Sequence, residues 1–218
     1  MKRFVICTCI SVLLSSCFEI IEEVNLNEDG SGHFKYTMNF SQSASKIQSL
    51  LKEDEVEGYK VPTLQAIQKE FERHVNKSQS IKGITAVSHS FDQSAFIFVY
   101  ECDFTKIELL NQYTDSLRSM HDDDYNPGTY FAFNPTQKIF TRTGDDLIEK
   151  LNQKMTSSQR LIFNGATYTC LYRFFNEISD KKPIGINVSV NKKNTFHRLS
   201  MSAMIWNGNL VDQEIKLQ

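Results

Sequence analysis

The stretch Asp29-Gly30-Ser31-Gly32 constrains the fold more than any other part of the chain. Two glycines free to take positive φ, alternating with Asp and Ser, stop any helix or strand from passing through. Before it, residues 18–27 (FEIIEEVNLN) are extended in character. After it, His33 to Phe40 (HFKYTMNF) alternates, with Phe34, Tyr36, Met38 and Phe40 on one face. Two extended runs about such a turn make an antiparallel hairpin with one buried side. Ile81–Phe91 and Ala95–Phe104 repeat the arrangement around Asp92-Gln93-Ser94. Within the second of these runs, AFIFVY is apolar on both faces, which predicts an interior strand.

Between and after the hairpins the apolar period changes from two to between three and four residues. A first helix is expected after Ser41 or Ser43, with Ala44, Ile47, Leu50 and Leu51 inward. The segment KEDEVEGYK that follows reads as a charged loop. A second helix, with Pro62 as its first residue, carries Leu64, Ile67, Phe71 and Val75. A third carries Ile107, Leu110, Tyr113 or Thr114, and Leu117, and a fourth spans about Asp145–Met155. Thr129–Phe133 and Lys138–Arg142 are short strands around Pro135. The last third holds four strand-like runs: ATYTCLYRFF, IGINVSV, HRLSMSAMIW and QEIKLQ. The fold class is therefore α+β, a single domain in which antiparallel hairpins form a sheet packed against three or four amphipathic helices.

The first seventeen residues, MKRFVICTCISVLLSSC, do not belong to that domain. Lys2 and Arg3 precede an apolar run from Phe4 to Leu14. Eleven residues make only about 16 Å of helix, roughly half a bilayer core, which suits a signal peptide and not a span. Leu14-Ser15-Ser16-Cys17 resembles the bacterial lipobox, in which an aliphatic and two small residues lead the peptidase to a cysteine that carries diacylglycerol. Residues 1–16 are thus expected to be a lipoprotein signal peptide and 17–218 the exported domain, lipidated at Cys17. Several acyl chains, at roughly 0.8 kcal/mol per buried CH2, hold a protein on a membrane where one does so only marginally. No later stretch reaches 18 apolar residues, so this lipid is the expected membrane attachment.

Removing Lys2 and Arg3 takes the 24 basic residues to 22 against 26 acidic, a net charge of −4. A weakly acidic chain with no basic stripe excludes nucleic acid as a partner. Sixteen Phe and eight Tyr supply a core, so disorder is not expected. Cys102 and Cys170 remain after Cys17, and in an oxidising compartment they form either a disulfide or two separate buried thiols.

Cys17 with the segment EEVNLNEDGSGHFKYTMNF that starts at Glu22, and the closing segments TYTCLYRFFNEIS and MSAMIWNGNLVDQEIKLQ, resemble the LppM-like family of bacterial lipoproteins. Members begin with a strand, an Asp-Gly turn and a second strand just after the lipidated cysteine. They close with a Tyr-rich strand, a Phe-x-x-x-Ile turn and a strand ending near leucine. The likeness covers the two ends, about a third of the chain. It implies an envelope-facing α+β domain that can carry a cavity for amphiphiles, and it brings no catalytic residues.

Candidate chemistry is sparse. His121-Asp122-Asp123-Asp124-Tyr125 offers hard oxygen ligands, but consecutive aspartates lack the alternate spacing of a Ca2+ loop, so a solvated turn is expected. The histidines at 33, 74, 89, 121 and 197 show no zinc-pair spacing, and no nucleophile-elbow motif occurs. Trp206, Phe174, Phe175 and Phe196 line either a binding surface or the core. Asp115-Ser116-Leu117 resembles a short bacterial O-glycosylation acceptor. The expectation is a non-enzymatic binding or structural module, with no metal and no cofactor. It would be held on the outer-membrane or periplasmic face and meet an envelope protein or an amphiphilic ligand. The alternative is an envelope hydrolase whose site assembles only in the fold.

Overall fold

A computed structural model of the chain describes residues 18–56, 59–118, 128–144, 152–153 and 155–218. The predicted signal peptide with Cys17, the acidic turn at 121–127 and most of the predicted fourth helix lie outside the described residues, as does the side chain of Leu117.

The opening hairpin forms as predicted, from β1 (Glu19–Leu26) and β2 (Gly32–Asn39). Gly30 at φ 81° makes the turn, and the Asp29 carboxylate accepts from the Ser31 amide (3.0 Å) and hydroxyl (2.6 Å). The second hairpin, β5 (Ile84–Asp92) and β6 (Ile97–Phe104), joins the first through antiparallel β2–β6 pairing. β6 therefore has a neighbour on each side, as the run AFIFVY requires. β9 (Thr167–Phe174) lies parallel to β1 on its other edge, followed by β12 (Asn194–Ser200) and the two-residue β11 (Asn187–Val188). The order across this seven-stranded sheet is β11-β12-β9-β1-β2-β6-β5.

A second sheet, in the order β10-β13-β8-β7, combines β7 (Phe131–Asn134), β8 (Ile139–Arg142), β10 (Ile178–Lys182) and β13 (Gln213–Leu217). Its apolar positions join those of the large sheet in one continuous core, with Val24, Phe34, Phe131, Phe140, Tyr172 and Ile215 almost wholly buried. α1 (Ala44–Leu50) follows β2 through a short 3-10 turn, α2 (Leu64–Ser78) leads to β5, and α3 (Ile107–Arg118) follows β6. Phe71 of α2 forms a satellite core, its ring stacked at 5.0–5.1 Å on Tyr100 and Phe98. α3 buries Ile107, Leu110 and Tyr113 as its period predicts, and Asn111 on the same helix docks β7. The Asn111 Oδ1 accepts from the amides of Tyr130 (3.0 Å) and Phe131 (2.8 Å), while its Nδ2 donates to the Phe131 carbonyl (2.9 Å). One side chain thereby replaces a strand neighbour at the end of the small sheet.

Several elements differ from the sequence reading, each for a local reason. Thr63, not Pro62, is adjacent to the helix: its Oγ1 caps the Ala66 amide at 3.1 Å and Pro62 stands one residue outside. The α2 stripe is rotated, burying His74 and Ser78 beside Phe71 and leaving Leu64 exposed. The charged loop contains a two-residue pair, β3 (Glu55–Val56) with β4 (Tyr59–Lys60). HRLSMSAMIW is half strand and half helix: β12 stops at Ser200 and, after the one-turn α4 (Ser157–Arg160) earlier in the chain, α5 (Met201–Met204) tucks Met201 and Met204 into the core. β10 arises in ISDKK, whose charges project from an edge strand of the small sheet.

Cys102 and Cys170 are the separate buried thiols of the two alternatives, not a disulfide. They sit on β6 and β9, which β2 and β1 hold apart. Three interstrand steps of about 4.8 Å put them well beyond the roughly 7 Å limit between bridged Cα atoms.

Candidate functional site

On β1, Ile20, Glu22, Val24 and Leu26 share the inward face, and β9 sets Tyr168, Cys170, Tyr172 and Phe174 beside them. Glu22 is thus carried into the core by strand alternation. Arg142, at the end of β8, comes from the facing sheet to meet it. Both are only 3% exposed. The pair is bidentate, with Arg142 Nε to Glu22 Oε1 at 2.9 Å and Arg142 Nη2 to Oε2 at 2.8 Å. Tyr168 donates its hydroxyl to Oε2 (2.6 Å) and Tyr172 to Oε1 (2.5 Å). The remaining guanidinium nitrogen donates to the Thr143 carbonyl, and the guanidinium carbon lies 4.8 Å from the Phe131 ring centre.

Burial alone would raise the Glu22 pKa, but the Arg142 charge and the three hydrogen-bonding side chains outweigh it and hold the carboxyl below its ordinary range. Burial likewise opposes the Arg142 charge, and Glu22 more than restores it. Burial first, then the neighbouring charges, pushes both tyrosines well up, so they remain donors. A fully satisfied ion pair of this kind binds the two sheets in one register and leaves no proton free to move.

Beside it opens a cleft of about 440 Å³ at the ends of β8, β10 and β13, lined by Arg142, Thr143, Pro183, Leu210, Asp212 and Gln213 among others. Gln213 is 2% exposed and shares the inward face of β13 with Ile215 and Leu217, so its amide is turned into the core toward the Cys170 thiol. Behind it, Cys170 faces His197 across the β9–β12 ladder. Burial pushes the Cys170 thiol up to about 12, and burial together with Lys181 lowers His197. A protonated thiol beside a neutral imidazole is no activated nucleophile.

A second cleft, about 470 Å³, lies at the opening turn between Asn27, Ser31, His33, Thr85 and Asp103. His33 Nδ1 stands 2.8 Å from Asp103 Oδ1 there, whereas the Ser31 hydroxyl donates to Asp29. His74 and Ser78 also touch (Nε2 to Oγ, 3.2 Å), but both are fully buried. Among the described residues no group of three or more His, Cys, Asp or Glu side chains is placed to hold a metal ion.

The four aromatics considered as a surface are not brought together. Phe174 packs on Phe140 (5.3 Å) and Phe175 on Phe133 (6.1 Å), while Phe196 lies on the open sheet face and Trp206 stands under Arg160. Ser116 is buried, its hydroxyl bonded to the Tyr113 carbonyl at 2.7 Å, so it is closed to a glycosylating enzyme. Glu22, Arg142 and Gln213 are the residues sequence reasoning missed. Their signal was present as charged or amide side chains at inward positions of runs whose other inward positions are apolar.

No family model and no curated protein matches the chain. Among solved structures it is similar to the NMR structure of the folded domain of Mycobacterium tuberculosis LppM, at 10% sequence identity and a TM-score of 0.43, over 94% of this chain and 91% of that one. Among the described residues no helix is long and apolar enough to cross a membrane, which says nothing of strands.

Proposed function

We propose that this chain is a lipid-anchored protein of the bacterial cell envelope that works by binding, not by catalysis. It would be held through acylated Cys17 on the outer-membrane or periplasmic face. One observation carries the reading: Phe18 is already buried, and β1 begins at Glu19. A lipobox-like cysteine thus abuts the folded domain with no spacer, so the residue that would bear the lipid is also where the fold starts. Binding is supported by the open cleft at the ends of β8, β10 and β13, whose lining of Thr143, Pro183, Leu210 and Asp212 suits a mixed polar and apolar group on an envelope protein or an amphiphile. Cys17→Ala in the native host is expected to abolish fatty-acid labelling and release the protein from membranes. Retained labelling would refute the anchor.

A hydrolase reading has one geometrical support, the His33–Asp103 pair in the open cleft. If it holds, esterase or amidase turnover by the purified protein disappears in His33→Ala. If binding alone is right, no such turnover exists to lose.

A further inference from the structure

We infer that the end of the domain carrying Phe18 is a membrane-apposed face, with Leu161, Ile162 and Trp206 seated in the interfacial layer of the bilayer that holds the Cys17 lipid. The inference rests on the lipid-anchor reading above and adds an orientation to it. β1 and β9 run parallel, and Glu19 pairs with Thr167, which pairs in turn with Ser200. Those three residues therefore mark one end of the large sheet. The Phe18 carbonyl accepts from the Thr167 amide (3.0 Å), and its ring lies 6.0 Å from Phe163. Leu161 and Ile162 belong to the same 3-10 turn as Phe163 and are 43% and 48% exposed. α5 leaves Ser200 at this end, tied to Ala166 by the Met201 amide (3.0 Å), and Trp206 follows it at 66% exposure. Leu50, on the helix that leaves β2 from the same end, is exposed as well.

Three large apolar side chains thus stand in water within one short segment of the residue next to Cys17. An acylated Cys17 lies one peptide unit, about 3.8 Å, from the Phe18 Cα, so the bilayer surface cannot be far from them. Trp is the side chain best suited to that layer, with an apolar body and one polar N–H. Arg160, its guanidinium 5.3 Å from the Trp206 ring centre, is held there by hydrogen bonds to the Asn152 Oδ1 (2.6 Å) and carbonyl (2.8 Å), which fixes the Trp206 side chain beside Leu161. The turn at residues 27–31 lies at the opposite end of β1, about 25 Å further out for eight residues of strand. The cleft at His33 lies at that opposite end and remains open to solvent-borne partners, whereas the one lined by Asn209 and Leu210 adjoins the segment that carries Trp206.

Trp206 is the chain's single tryptophan, so its fluorescence reports this face without a label. The test uses the full lipidated protein reconstituted in phosphatidylcholine–phosphatidylglycerol vesicles, with and without brominated acyl chains, and recovered by flotation. Trp206 emission is expected to shift to the blue on reconstitution, lose most of its accessibility to iodide, and be quenched severalfold by the brominated chains. Leu161→Ser with Ile162→Ser should float equally well yet lose much of the quenching. Val190→Ser, in the β11–β12 turn at the far end, should change neither. A protein that floats while Trp206 keeps water-exposed emission and escapes the bromines would overturn the orientation alone. Failure to float would overturn the anchor, and the orientation with it.

Discussion

Replacing Glu22 by Gln would separate the worth of the buried network from the cost of breaking it. The substitution keeps a carbonyl oxygen for one tyrosine but leaves the Arg142 guanidinium, 3% exposed, without its counter-charge. Breaking a buried pair from one side costs about 3–5 kcal/mol. With a urea m-value near 2 kcal/mol/M, that is a midpoint lowered by about 2 M, a large part of a typical domain's stability. The replacement of all four partners, Glu22→Leu, Arg142→Met, Tyr168→Phe and Tyr172→Phe, leaves no buried charge or hydroxyl unpaired. Its main loss is the Arg142–Phe131 stacking contact, about 1–2 kcal/mol when desolvated. The quadruple variant should therefore unfold within about 2 kcal/mol of the parent and well above Glu22→Gln. Equilibrium urea unfolding followed by circular dichroism reads both. A Glu22→Gln cost under about 1 kcal/mol would mean the guanidinium reaches water and the burial argument fails. A quadruple variant weaker than Glu22→Gln would show that the pair's attraction exceeds its desolvation cost.

Three further outcomes follow from buried groups away from that pair. Burial, helped by Lys77, lowers His74 from 6.5 to about 4, so between these values the unfolded chain binds the extra proton. Stability should then fall by about 3 kcal/mol as pH drops from 7 to 4, and His74→Leu, which leaves Ser78 its Ser116 partner at 3.0 Å, should remove most of that slope in pH-dependent melts. Asn111→Ala strips two amides and one carbonyl of their partner and should cost about 3 kcal/mol by urea unfolding; a cost under about 1 kcal/mol would mean the start of β7 is solvated. Cys102 and Cys170 should resist alkylation in the native protein and react as two thiols once unfolded without reductant, whereas protection in urea would reveal a disulfide.

The hairpins were legible because each sets two extended runs about a local turn, Asp29-Gly30-Ser31-Gly32 beside the alternating His33–Phe40 and Asp92-Gln93-Ser94 beside the apolar AFIFVY. Glycine and Asp29 between β1 and β2 set that register locally. The parallel β1–β9 contact was not legible, since nothing near Glu19 specifies a partner in a segment that follows the whole helical middle of the chain. The same limit hid the small sheet: β10 in ISDKK looks like a solvated turn until β13 lies beside it. Residue-level signals for the interior were available in Glu22 and Arg142, which break apolar alternation with opposite charges. Their pairing could not be read, because it depends on how two sheets face one another. Asn111 was hidden in a helix period to which it conforms.

Under the proposed export, the central position of β1 bears on the order of events during secretion. The strand made first sits between β2 and β9, so half of its ladder waits for Thr167–Phe174 to emerge. Closing a loop that long before any reward is slow, and the unpaired edge meanwhile offers itself to other chains. For a chain translocated from its N-terminus, β1 would reach the membrane long before its second neighbour arrives. Assembly of the large sheet would then finish at the lipid surface, by zipping β9 against a strand already fixed there. A chaperone that shields the free edge of β1–β2 would be of most use in that interval, and truncations ending before Thr167 should accumulate as aggregates, not as a smaller folded core.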